Sequence, residues 1–143
     1  HQYIAYNRKT QQIKTYNYNE SQRIGPLYLG PLNNKEIVSQ CIENITSIND
    51  SKQPLKLLQS LYDEIESIGY YDIHKLQSYC GIGNGIKFST LFEHLNKDSH
   101  TSSLSHCSKR GLKTTLSFEE LTDKIKKHPF LKFSQNSIKY NYH

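Results

Sequence analysis

The chain has little of what several protein classes depend on. No apolar run approaches the length of a membrane-spanning helix, and no export signal opens it. Its cysteines number three, Cys41, Cys80 and Cys107. They lie far apart with no Cys-x-x-Cys pair, which argues against zinc and redox motifs. Free thiols in a reducing cytosol are the expectation. Alanine occurs once, and no internal repeat is present. The seven histidines are scattered, and the spacing of His94 and His100 does not make a metal site. Asp63, Glu64, Glu66, Glu119, Glu120 and Asp123 fall on helix faces expected to be solvated, so no paired-carboxylate case arises. Gly81-Ile82-Gly83-Asn84-Gly85 has the look of a nucleotide-binding loop. Such a loop needs a strand before it, and here a helix is expected, so the segment reads as a turn between helices. No complete catalytic constellation is found, and neither a metal site nor a cofactor site is expected in this chain.

What is present is positive charge. Against 13 acidic residues stand 18 lysines and arginines, giving a net charge of +5. That balance favours a polyanionic partner, with nucleic acid ahead of an anionic membrane. A length of 143 residues suits one domain or two small ones.

The segment Ile24-Gly25-Pro26-Leu27-Tyr28-Leu29-Gly30-Pro31-Leu32 sets two Gly-Pro steps around three large apolar residues. Proline fixes φ and removes a donor, so a short buried strand between rigid corners is predicted. Before it, Tyr3–Tyr6 and Gln12–Tyr18 read as a hairpin around the polar turn Asn7–Thr10. After it, Asn33 or Asn34 caps a helix whose Ile37, Cys41, Ile45 and Ile48 share one face.

Polar residues 49–53 form the best internal boundary, dividing residues 1–50 from 51–143. A second helix is predicted from Pro54, with Leu55, Leu58, Leu61, Tyr62, Ile65 and Ile68 on its apolar face and Gly69 as its cap. Asp72 caps a short helix over Ile73–Tyr79. A third helix is expected from about Ile86 to Lys97, its buried face carrying Phe88, Leu91, Phe92 and Leu95. Strands His100–Cys107 and Gly111–Leu116 then flank the turn Ser108-Lys109-Arg110. Ser117 and Glu120 form a capping box for a final helix burying Phe118, Leu121 and Ile125, stopped by Pro129.

The fold class is therefore α+β: a β hairpin and short strand packed with helices, followed by a winged-helix-like module. In helix-turn-helix relatives the helix after the turn enters a groove. The expected binding surface is Lys87, Lys97, Lys109, Arg110 and Lys113, supported by Ser105, His106 and Thr114. Consecutive strand residues point to opposite faces, which argues against His106 and Cys107 working as a nucleophilic pair.

Three segments carry a family resemblance. Gly25 to Leu32 with Asn33-Asn34-Lys35-Glu36, Tyr70-Tyr71-Asp72-Ile73-His74, and Ser105-His106-Cys107 through Gly111-Leu112-Lys113-Thr114 resemble, in order and spacing, the tRNA (guanine26-N2)-dimethyltransferases of archaeal type. Tyr28 stands where that family usually has Trp, Cys107 where it has Phe, and Thr115 near its Asp-Ala. The resemblance covers nearly the whole chain but only the family's C-terminal domain. It implies a tRNA-engaging domain of a cytoplasmic enzyme whose catalytic domain lies outside this chain. That N-terminal methyltransferase domain would be its partner and would hold S-adenosylmethionine. No membrane partner is implied. A stand-alone winged-helix DNA binder and a purely structural interaction domain are the alternatives.

Overall fold

The computed structural model describes residues 2–16, 24–45, 47–48, 52–82 and 86–128. The expectations for Asn17, Tyr18, Gly83–Gly85 and the tail from Pro129 lie outside those residues.

Strands β1 (Gln2–Tyr6) and β2 (Ile13–Tyr16) pair antiparallel, with Tyr3 opposite Tyr16 and Tyr6 opposite Ile13. Their turn is built by Asn7, whose Oδ1 accepts from the amides of Lys9 and Thr10. Strand β3 (Ile24–Leu27) adds to the other edge of β1, giving the order β2-β1-β3.

The Gly-Pro segment departs from expectation twice. The first Gly-Pro step lies inside β3, not at its corner, and the peptide bond is cis. Gly25 has φ 136°, open to glycine and costly to other residues. The segment is also exposed, Tyr28 to 57% and Leu32 to 63%. The reason is that β3 is an edge strand. In the described part of its sheet only Ile4 is a buried hydrophobic, so no apolar layer presses on the segment.

Helix α1 (Lys35–Ile45) begins where Asn34 Oδ1 accepts from the amides of Glu36 and Ile37. Its inward residue is Val38, while Ile37 and Cys41 face solvent. The apolar residues have helical spacing, but on the face they share Ile37, Cys41 and Ile48 are exposed and Ile45 is half-buried. Helix α2 (Lys52–Asp63) packs on α1. It ends earlier than predicted, so Ile65 and Ile68 lie in a linker and Gly69, at φ 68°, does not cap the helix. The linker is drawn away because Ile65 N donates to Ser103 Oγ at 2.8 Å and Glu64 is held from the far side of a second sheet.

That second sheet has the order β4-β6-β5. Strand β4 (Tyr71–Asp72) leads directly into α3 (Ile73–Tyr79), whose N-cap Asp72 accepts from Lys75 N. Helix α4 (Phe88–Leu95) follows, then β5 (Ser102–Ser105) and β6 (Ser108–Thr114). The β5–β6 turn is thus His106-Cys107, two residues before the one anticipated. Helix α5 (Phe118–Lys126) starts on the predicted capping box, with Ser117 and Glu120 satisfying each other's amides.

The main core lies in this second part. Ile73, Leu76, Ile86, Leu91, Leu95, Leu112, Phe118, Leu121 and Ile125 form one cluster from three helices, β6 and a loop. Gln77, buried at the edge of it, donates to Ile86 O at 3.0 Å and ties the loop to α3. The two sheets are clipped together by Gln11, whose side chain accepts from Asp72 N at 2.7 Å. The architecture is α+β.

Candidate functional site

Strand β6 changes character along its length. Lys109 and Arg110 are exposed at its start, and Gly111 through Thr114 are buried. Both faces of the second half are covered. Leu112 points into the helical core, and Lys113, on the opposite face by strand alternation, meets the linker after α2.

The centre of that contact is Glu64. Its Oε2 accepts from His106 N at 2.6 Å and from His106 Nδ1 at 2.7 Å, while Oε1 lies 2.7 Å from Lys113 Nζ. The Glu64 side chain is 1% exposed and that of Lys113 7%. Burial pushes the Glu64 carboxyl up. The Lys113 hydrogen bond, both His106 hydrogen bonds and the Lys113 charge outweigh that, and hold it below its ordinary value of 4.5. The group stays ionised and pins the β5–β6 turn to the α2–β4 linker.

Several of the anticipated binding residues are therefore occupied elsewhere. Lys113 is not a surface cation, because its ammonium is spent on Glu64. Thr114 is buried, donating to Thr101 O at 2.8 Å and accepting from Ser102 Oγ at 3.0 Å. Ser105 is buried and accepts from Cys107 N. His106 is engaged at both ring nitrogens, since Nε2 lies 3.3 Å from Cys107 Sγ. The two side chains meet because they occupy a turn, where the strand alternation that would separate them does not apply.

Lys87, Lys97, Lys109 and Arg110 remain exposed. Lys87 is the N-cap of α4 and Lys97 follows its end, so the two bracket the helix over roughly 15 Å. Arg110 leans toward Asp72 at 3.5 Å, a half-exposed pair that leaves the guanidinium available.

Glu64 is the residue that sequence reasoning missed. The signal was faint: it sits three residues after Leu61 and four before Ile68, on the edge of the apolar stripe. A cleft of ≈ 450 Å³ separates this linker from the Gly-Pro segment, with Glu64 and Lys113 in its wall. Among the described residues no group of three His, Cys, Asp or Glu side chains could hold a metal ion, and no helix is long and apolar enough to cross a membrane.

Comparison with known proteins gives this geometry a family. Residues 3–126 match the model of the N2,N2-dimethylguanosine tRNA methyltransferases. The chain belongs to that family. The tRNA (guanine(26)-N(2))-dimethyltransferase of Pyrococcus furiosus is 26% identical over 132 residues, 88% of this chain and 34% of the relative. That of Pyrococcus horikoshii is 30% identical over 110 residues, 72% of this chain and 27% of the relative. Among solved structures, Trm1 from Pyrococcus horikoshii in complex with S-adenosyl-L-methionine superposes with a TM-score of 0.74 at 25% identity. The match covers 86% of this chain and 34% of that one. The chain thus spans about a third of the length of these members of the family.

Proposed function

We propose that this chain is the tRNA-engaging, C-terminal part of a cytoplasmic tRNA guanine-N2 dimethyltransferase. In this reading it holds tRNA so that a guanine amine reaches a methyl donor bound in another part of the protein. The observation that carries the reading is the pairing of family membership with a set of exposed cations on one module: Lys87 and Lys97 around α4, and Lys109 and Arg110 on β6. We read residues 51–143 as winged-helix-like, supported by the succession α2, β4, α3, α4, β5, β6 and the strand order β4-β6-β5. Structured RNA is met largely through its backbone and shape, which suits lysines and an arginine at the rim of a rigid core.

We infer that the described residues do not hold S-adenosylmethionine. Both sheets are antiparallel and three-stranded, and Gly81 follows a helix where a nucleotide loop would follow a strand. We therefore assign the methyl donor and the catalytic groups to the other part of the protein.

The test is tRNA binding by the K109E/R110E variant over a range of salt. Weaker binding is expected, with a log–log salt slope shallower by roughly one to two units. Unchanged affinity and slope, or preference of the wild-type chain for duplex DNA over folded tRNA, would refute the reading. Lys113 belongs outside this set, since its reversal would strike the fold and not the surface.

A structural role stands beside this one on a separate observation. Ile24, Leu27, Tyr28, Leu32 and Ile37 are all exposed on or near β3 and α1. An apolar surface of this kind on one unit of a longer protein fits docking against the methyltransferase domain.

A further inference from the structure

The β5–β6 turn holds a nucleophile that the proposed RNA-binding role does not use. Cys107 is exposed, and its Sγ lies 3.3 Å from His106 Nε2. The other ring nitrogen, Nδ1, lies 2.7 Å from Glu64 Oε2. Glu64 is buried and ionised against Lys113, so its carboxylate can only accept. The ring proton must then sit on Nδ1. In that tautomer Nε2 is the acceptor, and the Cys107 thiol its donor. The same Oε2 also takes the His106 amide at 2.6 Å, so the ring is fixed at both backbone and side chain. A thiol, an imidazole and an orienting carboxylate in this order are the parts of an assisted nucleophile.

From this arrangement we propose that Cys107 is a thiol–disulfide exchange site, with His106 as its base and Glu64 as the positioning residue. The co-reactant is a low-molecular-weight disulfide. The Cys107 sulfur attacks one sulfur of that disulfide and its proton passes to His106 Nε2. The old S–S bond breaks, and the departing thiolate takes the proton back from Nε2. One mixed disulfide and one free thiol result, with no net oxidation. Lys109 and Arg110, two and three residues further on, favour an anionic disulfide over a neutral one. The site stands independently of the tRNA reading.

The test uses the chain with oxidised glutathione at pH 7 and follows adduct formation at each cysteine by peptide mass spectrometry. Cys41, exposed on α1 and without a histidine partner among the described residues, is the internal reference. Cys107 is expected to react roughly tenfold faster than Cys41. In His106→Gln the two rates should converge while that of Cys41 stays as it was. Equal rates in the wild-type chain, or an undiminished Cys107 rate in the variant, would overturn the proposal. Nitrogen-15 NMR of the His106 ring in the wild-type chain gives a measurement free of any substitution. A proton on Nδ1 is expected, and one on Nε2 would overturn the proposal.

Discussion

A single buried carboxylate decides more about this molecule than any other side chain. Glu64 joins a linker to a turn through Lys113 and His106. Removing Lys113 leaves the buried Glu64 charge with only its His106 hydrogen bonds, at a cost of up to about 3–5 kcal/mol. Lys113→Met should therefore lower the free energy of urea unfolding by that order. Adding Glu64→Leu to it should recover much of the loss, because the stranded charge goes too. Acid should reveal the same group. The folded Glu64 ionises below 4.5, so its contribution is complete above that value and disappears as pH falls through the folded one. His128 acts in the same direction at higher pH. Burial, and then the neighbouring His94, lower its pKa from 6.5, so stability is complete above 6.5 and falls as the ring is forced to protonate. Chemical denaturation between pH 7 and 3 should show two successive losses, with His128→Gln removing the first. A stability curve flat over that range would contradict both assignments. Neither residue was legible as structural. Glu64 reads like its solvated neighbours Asp63 and Glu66, and only its contacts with residues 42 and 49 positions away, His106 and Lys113, distinguish it.

Elements follow the sequence where their signals are local. The Asp72 cap, the Ser117–Glu120 capping box and the turn built by Asn7 each need only residues within one turn of chain. Ser117→Ala should cost about 1 kcal/mol, measurable as a lowered melting temperature with the tertiary signal unchanged before the transition. The elements that departed from expectation are those set by distant partners. Helix α2 stops at Asp63 because the next residues bind β5 and β6. The β5–β6 turn sits at His106-Cys107 because Glu64 captures the His106 amide, which moves Lys109 and Arg110 from a tip to the start of a strand.

At the scale of the whole molecule, the apolar residues divide into two populations. Nine of them between Ile73 and Ile125 enclose a core, while Ile24, Leu27, Tyr28 and Leu32 of the Gly-Pro segment and Ile37 of α1 face outward. Leu32→Asp with Ile37→Asp should change the unfolding free energy by less than about 0.5 kcal/mol, as surface substitutions do. The same pair should abolish association with the methyltransferase domain added in trans. Intact association would sink the docking assignment. The sequence by itself determined the α+β class, the local caps, the positive charge and the family likeness, because all of these are written in composition, in near-neighbour spacing or in short motifs. Only the tertiary structure decided which lysines face solvent, which apolar stripe is buried, and that a histidine and the cysteine after it meet at a turn. Those outcomes depend on contacts between residues dozens of positions apart, where a buried charge must find its partner and an edge strand must find its cover.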